Sequence, residues 1–519
     1  MFNKTLIIVD TNINVNIRDY NFDLINIGNS FISKNLNFKK ISFEKYVKKF
    51  FPLYRKKFAQ KINKEFYKIF KNFPIDQNFL EFNNLRNDKN PIFEKIIILA
   101  ILKKKIDFHK YKKILIYYDD LRLKNIYSNL FTEKKLILVS NNINNKILLK
   151  VKSISLLRFM FKLYITSLLC KIFTSKKLIK KKEILNISIF PKLFFKSSQH
   201  KNNLNFIHTD DTHFSDNYFK TIKKIFQSIQ NDMINVEYFI KLGDILRQIK
   251  YFFKYNNILT ENFKTDINYE NIKINESLLD YFEVSLLNFF KLSTTELALK
   301  RANTTLSPKE INYYLFEYHF GFYIKKNFFK LNKKIKFFGF QHGIFNENLM
   351  WLDIIKLNKH FKEYLPDFVY CKYQKSRIVY LKYFKSNNII NIFNTNNKEK
   401  NFIKVSKSSN IYLIILGLHD YKETIKLIIN YVSLNSSNKK FILKIHPKTD
   451  ISKIQKKLPN NVKIMNKLNF LTYNQVFISK YSTMAYDFIS QKIPFYVLHK
   501  NVLDYNCPKF LQKKMFKLK

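Results

Sequence analysis

Residues 336–345 read Lys-Phe-Phe-Gly-Phe-Gln-His-Gly-Ile-Phe, and this stretch decides the fold predicted for the chain. Its apolar half is typical of a buried strand, and the polar tip Gln341-His342-Gly343 marks the end of that strand. The chain has six glycines, and two of them lie here, at positions 339 and 343. Glycine lets a backbone turn sharply or approach a ligand closely. A histidine at the carboxyl end of a parallel strand lies where open α/β sheets bind their ligands.

The segment before this stretch completes a strand–helix–strand unit. Ile311–Phe316 has the pattern of a strand that ends in Glu317, and His319–Leu331 has the pattern of a helix. In a parallel unit of this kind Glu317 and His342 emerge at the same edge of the sheet. Glu317 and His342 are therefore candidate catalytic residues, since a carboxylate or a neutral imidazole can take a proton from an acceptor hydroxyl.

A second strand with a polar end follows in the C-terminal third. Phe441–Ile445 ends in His446-Pro447. The proline disfavours helical geometry at His446 and makes the chain leave the strand in an extended or turning conformation. A histidine held in this way can bind a phosphate, with Lys444 beside it as a second cation. The alternative is a turn with a solvated histidine.

Two more strand ends complete the predicted edge. Residues 479–483 read Ser-Lys-Tyr-Ser-Thr and precede a helical pattern, so that Ser482 and Thr483 lie where hydroxyls and free backbone N–H groups can bind an anion. An ordinary helix cap is the alternative, since serine and threonine are favoured there. Gly417 follows the strand Asn410–Leu416 and either shapes a loop facing the same cleft or makes a turn.

Strand patterns alternate with helical patterns along the whole chain, which predicts βαβ units and parallel sheets. A length of 519 residues is enough for more than one domain. We expect an α/β protein of two doubly wound, Rossmann-like domains facing a central cleft. The N-terminal domain, residues 1–355, carries helical insertions, and the C-terminal domain, residues 356–519, binds the nucleotide.

The chain carries 92 Lys and Arg against 39 acidic residues, a net charge of +53. Such an excess favours polyanionic partners. The lysines are scattered and form no basic tail, so we expect no specific nucleic-acid binding and favour an anionic membrane surface. Residues 155–173 are apolar but contain charges, which predicts an amphipathic helix on the core or, second, on a membrane face. The three widely spaced cysteines indicate a reducing cytosol.

Acidic clusters with metal-ligand spacing are not evident. Asp119-Asp120 and Asp210-Asp211 are interpreted as turn and cap residues, although His208 and His213 flank the second pair. The sequence has no phosphate-binding Gly-rich motif of the Walker or dinucleotide type. We therefore expect a metal-independent protein without a bound cofactor.

In their order, the Gln341-His342-Gly343 strand end, the His446-Pro447 strand end and the hydroxyl-rich turn before a helix resemble bacterial surface-polysaccharide glycosyltransferases of the GT-B type. This set includes capsule polysaccharide transferases, polysialyltransferases and CDP-glycerol glycerophosphotransferases. The Glu317 strand end and the segment Pro366-Asp367-Phe368-Val369 most resemble surface carbohydrate biosynthesis proteins of O-antigen and capsule loci. The resemblance covers residues 310–500. This chain has no clear counterpart of the acidic motif ending in glycine that supplies the base in the sialyltransferases of the same set.

The resemblance implies a transfer of a sugar from a nucleotide-activated donor, CMP- or CDP-linked donors being candidates, to a lipid-linked or growing capsule, O-antigen or lipopolysaccharide acceptor. It implies a cytoplasmic enzyme, peripheral on the inner face of the plasma membrane. His342 and Glu317 would be catalytic, and Gln341 and Gly343 would line the acceptor side. The donor phosphate and nucleotide would lie against His446, Ser482, Thr483, Gly417 and Lys444. The alternatives are a CDP-glycerol or CDP-ribitol type polyol-phosphate transferase and a non-catalytic basic protein that binds a membrane surface or nucleic acid.

Overall fold

The structure is a computed structural model, and it describes the following residues: 4–10, 22–27, 38–70, 91–131, 135–140, 148–188, 202–207, 218–262, 266–315, 319–329, 331–341, 347, 350, 353, 364–371, 374–381, 389–391, 403–417, 424–425, 428–429, 432, 439–446, 455, 458–465, 471–480, 482–499, 507–512 and 514–517. Over these residues the chain is a mixed α/β protein with parallel sheets flanked by helices, as the sequence predicts.

The first part of the chain forms a five-stranded parallel sheet. Its strands are β1 (Thr5–Asp10), β2 (Phe22–Asn26), β3 (Phe38–Lys40), β4 (Lys113–Tyr118) and β5 (Lys135–Ser140). The helices are α1 (Glu44–Phe70), α2 (Pro91–Lys105) and α3 (Lys124–Leu130). The strand order is β3-β2-β1-β4-β5. β1 is central and is buried from its second residue onward, as expected of a strand in a parallel sheet covered on both faces.

The second part forms a seven-stranded parallel sheet and a small antiparallel hairpin. The strands are β6 (Ile184–Ser188), β7 (Asn203–Asn205), β8 (Ile234–Asn235), β9 (Asn268–Tyr269), β10 (Ile272–Lys273), β11 (Glu310–Leu315), β12 (Lys336–Gln341), β13 (Phe368–Cys371) and β14 (Ile389–Asn391). The helices are α4 (Leu148–Phe173), α5 (Tyr218–Gln230), α6 (Leu242–Asn262), α7 (Asn275–Leu306), α8 (His319–Phe329) and α9 (Gln374–Tyr380). β9 pairs with β10, and the sheet order is β14-β13-β12-β11-β6-β7-β8.

The C-terminal part forms a six-stranded parallel sheet and a separate parallel pair. The strands are β15 (Ile403–Val405), β16 (Ile411–Ile415), β17 (Lys440–Lys444), β18 (Val462–Met465), β19 (Leu471–Tyr473), β20 (Gln475–Ile478), β21 (Tyr496–His499) and β22 (Met515–Lys517). The helices are α10 (Met484–Ser490) and α11 (Lys509–Gln512). β15 pairs with β19, and the sheet order is β18-β17-β16-β20-β21-β22.

The three large sheets share one winding rule. In each of them the chain enters at a central strand, builds outward to one side, and then crosses to build the other side. This is the doubly wound pattern, and a ligand crevice forms at the carboxyl ends of the strands where the direction of building reverses. The doubly wound α/β class is therefore confirmed and is consistent with a GT-B-like arrangement. The sequence predicts two such sheets, one in each domain. The described residues contain three large sheets, two before position 392 and one after it.

The sheet pairing and the core place two strands differently from the sequence prediction. β13 and β14 were expected in the C-terminal domain, but β13 pairs with β12 and β14 pairs with β13. One apolar cluster runs from Leu6 through both N-terminal sheets to Ile389. The C-terminal sheet has its own clusters on its two faces, beginning at Ile403. The pattern of apolar runs identified these strands but carries no information on which sheet they join.

The apolar segment predicted as an amphipathic helix is α4, which begins before residue 155 and ends at Phe173. Its inner side chains Leu156, Phe159, Met160 and Leu163 belong to the main core. Among the helices of the described residues, none is long and apolar enough to cross a membrane.

Candidate functional site

The C-terminal sheet reverses its direction of building between β16 and β20. β16 is its first strand, β17 and β18 lie on one side of β16, and β20 to β22 lie on the other. All the pairings are parallel, so that every strand ends at the same edge. The physical expectation is a ligand crevice at the carboxyl ends of β16 and β20.

The register of the strands brings three of the polar strand ends to one level. Ile415 of β16 pairs with Lys444 of β17 and with Ile478 of β20. The ladder continues beyond the strands, since the Leu416 amide donates to the Lys444 carbonyl at 3.0 Å and the Ser479 amide donates to the Ile415 carbonyl at 2.8 Å. Two residues beyond each paired position lie Gly417, His446 and Lys480.

Lys444 and His446 belong to the same face of this sheet as α10. Side chains alternate along a strand, and Lys444 is paired with Ile415, which packs in the cluster that contains Ala485 and Tyr486 of α10. His446, two residues further on, follows the same alternation and is half-buried. The carboxyl edge thus carries a lysine and a histidine beneath the helix that follows Ser482 and Thr483.

Lys444 is a half-buried cation at this edge. Burial lowers the pKa of its ammonium group, because desolvation disfavours the charged form. Within the part of the chain that the structure describes, no carboxylate forms an ion pair with it. An anion placed at the strand ends would offset that desolvation cost and stabilise the charged form.

Ser482 and Thr483 lie in the turn that leads into α10. The Ser482 amide donates to the Ser479 carbonyl at 3.0 Å, and the Tyr486 amide donates to the Thr483 carbonyl at 3.0 Å. Thr483 has helical backbone angles, φ −62° and ψ −18°, and its side chain makes no capping hydrogen bond. The reading of Thr483 as an ordinary side-chain cap is therefore not supported, and its hydroxyl is not used to cap α10.

The seven-stranded sheet brings the strand ends before Glu317 and His342 side by side. Leu315, the last residue of β11, pairs with Gln341, the last residue of β12. β11 is also the strand at which this sheet reverses its direction, since its other neighbour is β6. Glu317, His342 and Gly343 themselves lie outside the described residues, so their roles stay predictions.

Gln341 joins the two sheets through a buried chain of hydrogen bonds. Its side-chain amide donates to the Ser376 hydroxyl of α9 at 2.7 Å, and Ser376 donates to the Tyr486 hydroxyl of α10 at 2.8 Å. All three side chains are buried. The end of β12 is thereby held against the helix that follows Ser482 and Thr483. The proposed role of Gln341 toward an acceptor stays a prediction.

Sequence reasoning missed this connection and the position of Lys480. Ser376 and Tyr486 are a lone serine and a lone tyrosine in short helices, and no local pattern indicates that they meet. Lys480 lies within the predicted Ser-Lys-Tyr-Ser-Thr segment but received no role. The signal that could have found it is its spacing from the strand end, which matches that of Gly417 and His446.

The first acidic pair behaves as a turn and cap. Asp120 accepts from the Arg122 amide at 3.1 Å and from two guanidinium nitrogens at 2.9 and 2.6 Å. Burial works to raise the pKa of Asp120, but the Arg122 guanidinium outweighs it and holds the pKa below its usual range. Asp210, Asp211, His208 and His213 lie outside the described residues. Over the described segments no group of three His, Cys, Asp or Glu side chains gathers.

Comparison with known proteins gives no family assignment. No family model matches the chain, and no curated protein matches it. Among solved structures it is similar to the glycotransferase of kitacinnamycin, with a TM-score of 0.30 and 9% identity over 63% of this chain and 83% of that one.

Proposed function

We propose that this protein is a glycosyltransferase that moves a sugar from a nucleotide-activated donor to a lipid-linked or growing surface-polysaccharide acceptor. The observation that carries the proposal is the convergence of Gly417, His446 and Lys480 at the point where the C-terminal sheet reverses direction. That place in a doubly wound sheet is where nucleotides bind. The side chains of Lys444, His446 and Lys480 are basic and those of Ser482 and Thr483 carry hydroxyls, as the binding of an anion requires.

Chemistry at this edge requires that negative charge on the departing nucleotide be stabilised. The Lys444 ammonium group, the His446 imidazole and the hydroxyls of Ser482 and Thr483 would donate to the phosphate oxygens. Preorganised donors of this kind act most strongly on charge that develops in the transition state. In this scheme the cations and hydroxyls take the part that a metal ion plays in other transferases, so transfer should persist in EDTA.

The acceptor would enter from the second sheet. His342 would take the proton from the attacking hydroxyl, with Glu317 as the alternative base, since both follow neighbouring strand ends. The buried hydrogen bonds from Gln341 through Ser376 to Tyr486 hold the end of β12 close to α10, which supports a site shared by the two sheet edges. The lysine excess favours an anionic, lipid-linked acceptor at the inner face of the plasma membrane, with the enzyme bound peripherally from the cytoplasm.

The experiment that tests the proposal measures thermal stability of the full chain with CMP, CDP, UDP, GDP and an oligonucleotide. A ligand that binds the native state raises the melting temperature. We expect one nucleotide to do so and the oligonucleotide not to. Transfer from the matching sugar nucleotide to a lipid-linked acceptor, with and without EDTA, then reports the reaction. Transfer of glycerol phosphate from CDP-glycerol would instead identify a polyol-phosphate transferase, and stabilisation by the oligonucleotide alone would contradict both.

A further inference from the structure

The outer face of α4 carries exposed apolar side chains along its length. Ile154, Phe161 and Ile172 are exposed, Phe161 by 59% and Ile172 by 71% of their surface. Leu157 and Leu168 are exposed on the same face, as their spacing along a helix requires. The opposite face packs in the core. A helix that is apolar on both faces needs apolar cover on both.

The helices α5 and α6 extend this surface on either side. On α5, Phe219 is exposed by 82%, and Phe226 is exposed and contacts Phe173 of α4 with ring centroids 5.3 Å apart. On α6, Leu246 and Phe253 are exposed at helical spacing. Exposed apolar area that is continuous over several elements marks an interaction surface. We call the outer sides of these three helices the apolar face.

Hydrogen bonds hold α6 against α4, so that the apolar face is one surface. The Ser167 hydroxyl and the Lys171 ammonium group of α4 donate to the Ile240 carbonyl at 3.0 and 2.6 Å, directly before α6 begins. Arg301 of α7 binds Asp244 of α6 with two nitrogens at 2.5 and 2.7 Å. The position of α6 against α4 and α7 is thus fixed by buried and part-buried polar contacts, and α5 packs on α4 through the Phe226 and Phe173 rings.

The charge around the apolar face is mainly positive. The sequences of α4 and α5 contain no acidic residue, and α6 contains two, of which Asp244 is paired with Arg301 and Glu261 lies in the last turn. The exposed cations that follow α4 or lie on α5 and α6 include Lys176, Lys177, Lys223, Arg247 and Lys254. A second copy of this chain would bring like charges together, which is unfavourable. Apolar side chains among lysines and arginines are the composition of helices that lie in the interface of an anionic bilayer.

We propose that the apolar face docks onto the surface of a bilayer that contains anionic phospholipid, with α4 lying in the plane of the interface. This inference deepens the peripheral membrane location proposed above and names the surface responsible. Phe161, Ile172 and Phe219 enter the boundary between headgroups and acyl chains, and the surrounding lysines contact the lipid phosphates. Docking of this kind would bring a lipid-linked acceptor to the enzyme.

The test is sedimentation of the full chain with vesicles of phosphatidylglycerol and phosphatidylcholine, and with vesicles of phosphatidylcholine alone. We expect binding to the anionic vesicles that weakens as salt is raised, and little binding to the neutral ones. The double variant Phe161→Glu/Ile172→Glu should lower the vesicle affinity about tenfold or more, because two apolar side chains can no longer be buried. The matched control is Leu53→Glu, an equally apolar residue exposed by 52% on α1, and it should bind as wild type.

Two further measurements keep the result unambiguous. Lys176→Glu/Lys177→Glu leaves the apolar face intact and should also weaken binding to anionic vesicles. This variant provides the test if Phe161→Glu/Ile172→Glu fails to fold. Nucleotide binding by calorimetry should be unchanged in every variant, so that a failure of membrane docking is distinguishable from a failure of the proposed transferase activity. Equal vesicle binding by wild type and the variants overturns the proposal. So does light scattering that shows a dimer dissociated by Phe161→Glu/Ile172→Glu, since a second copy would then cover the face.

Discussion

The first and the third sheet are wound in the same order, yet their carboxyl edges differ in chemistry. In the first sheet Asp10 ends β1 and is 1% exposed; its carboxylate accepts from Lys95 at 2.8 Å and from the Tyr127 hydroxyl at 2.5 Å. In the third sheet the corresponding edge carries Lys444, whose pKa is lowered by burial and which pairs with no carboxylate of the described residues. The first edge compensates its own charge, whereas the third edge carries Lys444 and the hydroxyl-bearing residues Ser482 and Thr483, which are the candidate groups for an anion. The same strand order gives each sheet a possible ligand crevice at its carboxyl edge. The side chains at that edge determine whether a ligand can bind there.

The largest effect should come from His342, the proposed general base. His342→Ala should lower turnover about 10²–10⁴-fold, the usual cost of losing a general base. Nucleotide affinity should stay within about twofold of wild type, because the residue acts on the acceptor. The measurement is steady-state transfer with calorimetry on the same preparation, and His109→Ala, an exposed histidine, is the control. Wild-type turnover in His342→Ala would assign the base elsewhere, Glu317 being the next candidate.

The first-sheet edge should respond in stability and not in binding. Asp10→Ala leaves the buried Tyr127 hydroxyl and the Lys95 ammonium group without their acceptor, so the free energy of unfolding should fall by about 3 kcal/mol. Asp266→Ala, which removes an exposed ion pair with Lys273, should cost about 0–1 kcal/mol. Denaturant titration gives both values. Loss of nucleotide binding in Asp10→Ala with stability retained would break the comparison, since the first edge would then be a site as well.

The third-sheet edge should respond in binding and not in stability. His446→Ala would remove the proposed charge-assisted contact to the phosphate, worth about 1.5–3 kcal/mol, and should weaken nucleotide affinity roughly ten- to a hundredfold. The melting temperature without ligand should stay at the wild-type value, because a half-buried polar side chain contributes little to the core. Calorimetry and a melting curve check both parts, with His109→Ala as control. If the variant binds nucleotide as well as wild type, His446-Pro447 is only a turn.

A smaller effect should appear in the pH dependence of binding. Burial lowers the pKa of Lys444, and a phosphate bound at this edge would favour the charged form of the ammonium group. Affinity should therefore be full below this pKa and fall as pH rises through it, at lower pH than for an exposed lysine. Lys444→Arg stays charged over the same range and should lose the dependence. Identical pH profiles for wild type and Lys444→Arg would show that Lys444 does not contact the bound phosphate.

The sequence predicted the third sheet closely because its strands are short apolar runs between polar turns. β16 and β17 differ from the predicted strands by one residue at each end, and α10 follows the Ser-Lys-Tyr-Ser-Thr segment as predicted. The polar strand ends at Gly417 and His446 followed directly from those runs. Which strands lie side by side, and the contact of Gln341 with α9 and α10, depend on long-range packing that no local pattern encodes.

Turns were harder to predict because this chain rarely uses glycine in them. The stretch from Thr221 to Asn257 is helical in pattern and shows no break, but α5 ends before a turn in which Asp232 has φ 53°. The segment Glu261–Glu276 is mostly polar, which predicts a loop, but it holds the β9–β10 hairpin, whose turn residues Glu270 and Asn271 have φ 48° and 61°. Such a turn usually carries Asn-Gly, the strongest hairpin signal. None of the described glycines has a positive φ, so the usual marker was absent where the chain turned.

The central claim is that the carboxyl edge of the third sheet binds the phosphate of the donor nucleotide, and β17 allows a direct test of it. Lys440 and Lys444 stand on the same face of this strand, at its amino and carboxyl ends. Calorimetry with the stabilising nucleotide should give roughly tenfold weaker binding or more for Lys444→Ala, since a charge-assisted contact is lost, and wild-type binding for Lys440→Ala. Equal affinities in the two variants, or a loss confined to Lys440→Ala, would contradict the claim.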